Sequence, residues 1–336
     1  MKPHSELDRH SQRSRRAVLL NPPILYAPVR QRVFRLSVRP PFRLDLTVWL
    51  LRRRPHNAVD RWDGTTYRRV LALGNAPFEI AVCQVGPPKK PELEVAVTSA
   101  SRIEPREEEE VARVLRLMLG LELDLTPFYE LAHTDALLEE LAARFVGFRP
   151  PRFPTLFETL VNAIACQQIT LTLGIALLNR LCANWGPGFS GASARAWGFI
   201  RPQDLAEVAP ESLKAVGLSR QKAVALSKLA ELLARDPACF HGLSALTDEA
   251  ASSDLSRLRG VGRWSAEYAL LRGLGRLNVF PADDISGRKK LFRWMKLPDK
   301  ADYQATRRVV KRWSPYQGLI YLHLILASLS EKGWVS

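Results

Sequence analysis

Cysteine is scarce in this 336-residue chain and poorly placed for crosslinks or metals. Cys83, Cys166, Cys182 and Cys239 are scattered, with no CxxC pair among them. That spacing excludes a disulfide framework, carries no zinc or iron–sulfur signature, and fits a reducing compartment. Histidine is no more helpful to a metallohydrolase or a catalytic triad. His4, His10, His56, His133, His241 and His323 include no pair one helical turn apart and none beside a candidate nucleophilic Ser or Cys. No apolar run approaches the roughly 20 residues of a membrane span, and "AVLL" at 17–20 is too short for a secretory core. The expectation is a soluble, cytoplasmic protein that does not associate with membranes.

Acid is in deficit as well. Only 34 Asp and Glu oppose 49 Lys and Arg, for a formal net charge of +15. This balance favours a polyanionic partner, nucleic acid ahead of an anionic membrane surface, although a generally Arg-rich proteome leaves the same mark. Hydrophobic content of 46% is ordinary, and the length allows two or three lobes, each with a core.

Residues 1–23, beginning "MKPHSELDRHSQRSRR", have almost nothing to bury and read as a disordered basic tail that adds affinity for phosphates. In "VFRLSV", Phe34, Leu36 and Val38 alternate with Arg35 and Ser37, and "YRRVLAL", "FEIAVCQV" and "LEVAVTS" are β-rich runs separated by Asn75 and "GPPKKP". They predict an N-terminal antiparallel sheet domain over 24–104. "LDLTVWLLRRR" is ambiguous by period, but its Leu44, Val48 and Leu51 spacing favours a helix on that sheet. Beyond "SRIEPREEEE", Val111, Val114, Leu115 and Met118 follow helical period, and the chain reads as helical from there. The expected fold class is α+β, a sheet domain followed by a two-lobed helical body. One lobe takes 105–135 and 277–336; the other takes 136–276.

Within the second lobe, "LRGVGR" at 258–263 predicts a helix-hairpin-helix. Asp254, Leu255 and Leu258 close one helix, Gly260 and Gly262 permit a tight turn, and "RWSAEYALL" opens the next. Free backbone N–H groups and the positive end of the second helix suit a phosphate there, with Arg259 and Arg263 reinforcing the anion site. A GxG turn alone fits a hairpin that binds nothing. Downstream, "VFPADD" places Asp283 and Asp284 at the start of another helix, which Asp283 is expected to cap.

The hairpin with "VFPADD" resembles the helix-hairpin-helix (HhH-GPD) superfamily of DNA glycosylases, and most closely its 3-methyladenine DNA glycosylase II, AlkA-like branch. The likeness runs from about Pro40 to Trp334 through "PPFRLDLTVWLLRRR", "LVNAIACQQIT", "LKAVGLSRQKAVAL" and "RWSPYQGLIYLHL". The resemblance implies that Asp284 is the catalytic carboxylate, stabilising positive charge on the sugar and orienting water. Trp264 stands where strand-nicking relatives carry the Schiff-base lysine, which implies a monofunctional enzyme without lyase activity. Trp264, Tyr268 and Tyr316 would form a stacking pocket for alkylated purines. The plug for the hole left by an extruded base would come from "ACQQIT", where Gln168, preceded by Gln167, stands at the position at which some members insert an apolar residue and either fills the gap by hydrogen bonding or caps a helix; Ser265 and Ala266 occupy small-residue positions in the DNA-binding hairpin region. No cofactor is expected beyond a monovalent cation on hairpin carbonyls around Leu258 and Val261. With no cysteine after Cys239, no iron–sulfur cluster is expected. The implied partner is double-stranded DNA containing damaged bases, bound by a monomer, nucleoid-associated or nuclear according to the host. Two alternatives stay open: a non-catalytic DNA-binding scaffold, and the same fold acting on deaminated or oxidised bases.

Overall fold

Alternation in the N-terminal strands has a simple outcome, because every second side chain is buried on one face of a sheet. The computed structural model describes residues 30–74, 76–190, 195–298 and 302–335; the basic tail at 1–23 and the turn at Asn75 lie outside the described residues. Strands β1 (Arg30–Ser37), β2 (Arg61–Trp62), β3 (Thr66–Leu73), β4 (Ala76–Val85) and β5 (Glu92–Ser99) form an antiparallel sheet in the order β1-β5-β4-β3-β2. Leu36 pairs with Leu93 across β1 and β5, and Ile80 with Val97 across β4 and β5. This apolar face packs on α1 (Leu44–Arg52), the helix favoured by the Leu44, Val48 and Leu51 spacing.

Helix α2 (Pro105–Leu119) starts where Glu107 accepts the Glu104 N–H at 2.8 Å with Pro105 following, and stops at the left-handed Gly120. Its Val111, Leu115 and Met118 join the sheet's own core. The expected boundary at 104/105 therefore separates a helix from the sheet it covers. Helices α3 (Thr126–His133) and α4 (Ala136–Arg144) pack instead with the C-terminal elements α12 (Ile285–Trp294), α13 (Tyr303–Val310) and α14 (Gln317–Ser330), around Phe128, Leu141, Trp313 and Leu322. Asp135 secures this contact, capping α4 and accepting from Trp313 Nε1 at 2.8 Å. The residues of α4, expected in the hairpin lobe, belong by packing to the other.

The third core lies among α5 (Leu156–Cys166), α6 (Leu171–Trp185), α9 (Arg220–Arg235), α10 (Asp248–Ser256) and α11 (Arg263–Arg272). Two local features shape this lobe. "PQDLAEVAPESLKAVG" is two short helices, α7 (Pro202–Leu205) and α8 (Pro210–Ala215), because each proline fits the first helical turn and neither fits an interior. A small hairpin, β6 (Gly188–Ser190) with β7 (Arg195–Trp197), interrupts a stretch read as wholly helical; its Phe189 and Ala196 bury against Val70 of β3. Among the described residues no helix is long and apolar enough to cross a membrane.

Sheet and helical body are joined by a buried polar cluster. Arg69 on β3, 1% exposed, donates to Asp60 Oδ1 at 2.8 Å and to both oxygens of Glu158 on α5, and Tyr67 Oη donates to Asp60 at 2.7 Å. Removing Arg69 alone would strand two buried carboxylates, a loss of about 3–5 kcal/mol.

His323 on α14 is buried among Phe128, Phe145 and Phe148, and its Nδ1 donates to Leu319 O at 2.9 Å. Burial pulls its pKa down to about 4. Between pH 6.5 and 4 the unfolded chain binds a proton there that the folded chain refuses, so stability falls as pH falls, by up to about 3 kcal/mol. His323→Leu is expected to flatten this part of the stability–pH curve in urea titrations; an unchanged slope would show that other groups set it.

Candidate active site

The hairpin between α10 and α11 forms as expected, but its two glycines serve different ends. Gly260 is left-handed at φ +80, and a Cβ there would lie 2.6 Å from Ala225 Cβ on α9. Gly262 is extended, precedes the first turn of α11, and a Cβ on it would meet nothing within 4 Å. The first glycine is required by the protein; the second leaves open space before the free N–H groups of a helix start, where an anion fits.

Neighbouring side chains divide similarly. Arg259 is exposed on the turn. Arg263, although exposed, is engaged within the protein: its Nε donates to Asp283 at 2.5 Å, and its guanidinium lies 3.8 Å from the centre of the Tyr303 ring. Ser265, expected among the DNA-binding residues, is 1% exposed, and Ala266 beside it is buried. Gln167 turns into the protein too, its amide donating to Ser265 Oγ at 2.6 Å and to Gly260 O at 2.9 Å. The α5–α6 connection is thereby fastened to the hairpin, and Lys222 adds bonds to Ala165 O at 3.0 Å and Gln167 O at 2.6 Å. Gln168 is left exposed with a left-handed backbone, φ +54, a conformation that costs a non-glycine residue about 1 kcal/mol.

Asp284 caps α12, directly before Ile285, in the way expected of Asp283. Its Oδ1 accepts the Ser286 N–H at 2.9 Å, and its Oδ2 accepts the Tyr321 hydroxyl at 2.6 Å. Asp283 is instead the partner of Arg263. The exchange follows from the turn: Asp284 N–H bonds Pro281 O at 2.9 Å, which leaves residue 284 to begin the helix. Tyr321 reaches the carboxylate because residue 287 is glycine; a Cβ there would sit 2.5 Å from Tyr321 Cε2. Burial and then the Asp284 charge hold the Tyr321 phenol well above its usual pKa, so it remains a donor.

The loop before α12 is secured from α11. Glu267, buried there, accepts Ala282 N–H at 3.1 Å through one oxygen and Tyr303 Oη–H at 2.7 Å through the other. Burial raises its carboxyl above the usual range.

Asp284 opens onto a cavity of about 430 Å³, with Trp264, Tyr268 and Tyr321 in its wall. Trp264 and Tyr268 are stacked, centroids 5.5 Å apart at 26°. Tyr316 takes no part in the wall. It precedes the first residue of α14 and packs edge-on against Phe128, 5.6 Å away. The aromatic that α14 contributes is Tyr321, five residues later, on the side facing α12. Two more wall residues, Arg53 and Arg272, carried no motif signal; they are brought to the cavity from the end of α1 and the end of α11.

The sequence matches known families on both sides of this site. The AlkA N-terminal domain matches residues 33–154, and the HhH-GPD superfamily base excision DNA repair protein matches residues 161–315. The chain is similar to the DNA-3-methyladenine glycosylase of Bacillus subtilis (strain 168), 27% identical over 73% of this chain and 80% of the relative. It is also similar to DNA-3-methyladenine glycosylase 2 of Escherichia coli (strain K12), 27% identical over 87% of this chain and 96% of the relative. A solved 3-methyladenine DNA-glycosylase from Archaeoglobus fulgidus has the same fold, with a TM-score of 0.76 and 24% identity over 88% of this chain and 98% of that one. With both domain matches side by side and the hairpin, carboxylate and cavity assembled in space, the chain belongs to the HhH-GPD superfamily of base excision DNA repair proteins, in the branch that carries an AlkA N-terminal domain.

Proposed function

We propose that the chain is a monofunctional DNA glycosylase that binds damaged duplex DNA as a monomer and hydrolyses the N-glycosidic bond of alkylated bases of the 3-methyladenine and 7-methylguanine type. The observation that carries this reading is the placement of Asp284, a carboxylate held by two donors beside an aromatic cavity of a size for one base.

The base leaves the duplex and enters the cavity, where an electron-poor ring is favoured by the Trp264–Tyr268 stack. As the C1′–N bond lengthens, its electron pair departs with the base and positive charge builds on the sugar. Asp284 faces that charge, with Tyr321 and Ser286 fixing its direction so that little reorganisation is needed. Water adds to C1′ and releases its proton through Asp284 to solvent. Exposed Gln168 is the residue for the gap in the duplex, whereas Gln167 is committed to the hairpin.

Phosphate would be held by the N–H groups opening α11, across the space at Gly262, with Arg259 alongside. Hairpin carbonyls are suitable oxygen donors for a monovalent cation. Leu258 O accepts from Val261 N at 3.1 Å and retains a lone pair; with Val261 O it would hold the ion, which neutralises a phosphate when bound.

Trp264 supports hydrolysis without strand cleavage, since an indole forms no Schiff base. Lys290, an amine in the cavity wall, is tied to Ser286, with Nζ 3.4 Å from Ser286 O and a further bond to Ser286 Oγ. Borohydride treatment on an abasic duplex is expected to trap no covalent adduct; a trapped complex would make the enzyme bifunctional.

Asp284→Asn should lower release of free base from methylated duplex by about 10²- to 10³-fold while duplex affinity is kept. Equal release by both proteins would remove Asp284 from the chemistry. Gly262→Val should weaken duplex binding by about 1–2 kcal/mol and hardly move the melting temperature, because the new side chain meets DNA rather than protein. An affinity equal to wild type would contradict a phosphate at this turn. Glu267→Ala frees the catalytic loop and should cut the single-turnover rate by about 10²-fold at unchanged duplex affinity, with Glu267→Gln restoring most of it; a parallel loss in both variants would point to the charge rather than the loop contact.

A further inference from the structure

Phe280, whose ring meets that of Tyr321 edge-on at 5.3 Å, also lines a second opening in the C-terminal lobe. This is a groove of about 350 Å³ between the end of α13, the chain at 278–280 and the start of α14, and none of its lining residues belongs to the cavity before Asp284. Its floor is apolar, with Phe280 and Val310 each 3% exposed. Its rim is cationic: Arg307, Arg308 and Lys311 are all exposed, and no carboxylate joins them in the lining. Arg307 has weak partners, Tyr303 Oη at 3.3 Å and Glu249 at 4.0 Å. Arg308 and Lys311 have no ion pair among the described residues. The acids nearby are already engaged, Asp248 by Arg276 and Asn278, and Asp135 by Arg312 and Trp313.

Cations in the last turn of a helix are favoured by its dipole alone. The dipole does not account for the apolar floor beneath them, nor for Gln317, whose side-chain oxygen is buried in the same groove with no hydrogen-bond partner among the described residues. An acceptor in that state is costly unless a ligand brings a donor. The groove thus asks for three things at once: anionic groups for the rim, an apolar group for the floor and an N–H for Gln317. A nucleic-acid backbone offers the anions but no N–H donor and no apolar side chain. An acidic stretch of polypeptide offers all three.

We propose that this groove docks a short acidic peptide segment of a partner protein, with an apolar residue following its carboxylates. The inference goes beyond the glycosylase reading and does not depend on it. Carboxylates would meet Arg308 and Lys311, the apolar side chain would lie over Phe280 and Val310, and a backbone N–H would reach Gln317. Rim pairs in contact with water are individually weak and screened by salt, so the apolar anchor sets the position of the peptide while the charges draw it in. Because the cavity before Asp284 and the turn at Gly262 lie outside the groove, a partner seated there leaves both open.

The test is fluorescence anisotropy on the full chain with a labelled peptide, a run of aspartates closed by phenylalanine. Two control peptides carry serine for the phenylalanine or asparagine for the aspartates. Saturable binding of the first peptide is expected, weaker by about 10-fold for the serine peptide and by about 10-fold for the double variant Arg308→Ser/Lys311→Ser, with the asparagine peptide not bound. Both replaced residues are exposed, so melting temperature and duplex affinity should stay at wild-type values. Gln317→Leu removes the stranded acceptor; it should weaken the peptide by about 5-fold without lowering the melting temperature. No saturable binding by wild type, or equal affinity of the double variant, would overturn the proposal. Equal affinity for the serine peptide would do the same, since charge alone would then explain binding. Displacement of the peptide by undamaged duplex, with a matching loss of duplex affinity in the double variant, would give the rim to nucleic acid and overturn it as well.

Discussion

Two hydrogen bonds hold the Asp284 carboxylate from different parts of the chain, one from Ser286 N–H in its own helix and one from the Tyr321 hydroxyl on α14. The first comes with being the opening residue of a helix, where unpaired N–H groups and the helix dipole favour negative charge. The second exists only because Gly287 clears the path of the Tyr321 ring. Together they turn a common capping residue into a group with a fixed direction, facing a cavity rather than bulk water. A carboxylate held this way needs little reorganisation to face a developing positive charge, which is what the proposed role asks of it.

Hairpin and carboxylate form one mechanical unit. Glu267, on the second helix of the hairpin, holds the loop that delivers Asp284, and Arg263, from the first turn of that helix, grips Asp283. Gln167 fastens the α5–α6 connection to the same turn, and Lys222 ties that connection to α9. On the proposed function, a phosphate bound at the hairpin would lie at a set distance from the sugar before Asp284, with exposed Gln168 next to the fastened connection. Arg263 shows how such a unit uses charge: a residue suited by sequence to phosphate is consumed in holding the loop.

Much of this was legible before any coordinates. Period-2 and period-3.6 patterns located the strands and most helices, since burial on one face leaves a direct trace in sequence. The hairpin was readable from local turn chemistry and the Trp264–Tyr268 pair from its spacing of four along one helix, whereas Asp284 and the place of Trp264 were picked out by the family resemblance. Misplaced features depended on distant contacts. Tyr316 and Tyr321 differ only in which faces α12; Ser265 looks exposed by its polarity but is covered by Gln167; and α2 follows the sheet because its apolar stripe joins the core that the strands share with α1. Three-residue strands such as β6 and β7 are too short to show a period at all.

The amino-acid order by itself determined where most helices lie, where the backbone must bend at Gly260, and which residue types the site contains, because these depend on neighbours a few positions away. Only the tertiary structure decided which of two adjacent aspartates caps α12, which tyrosine reaches the cavity, and that Arg53 and Arg272, more than two hundred positions apart, both lie against the ring of one phenylalanine. Orientation and desolvation are properties of the packed chain, fixed by groups far away in sequence, and no local pattern encodes them.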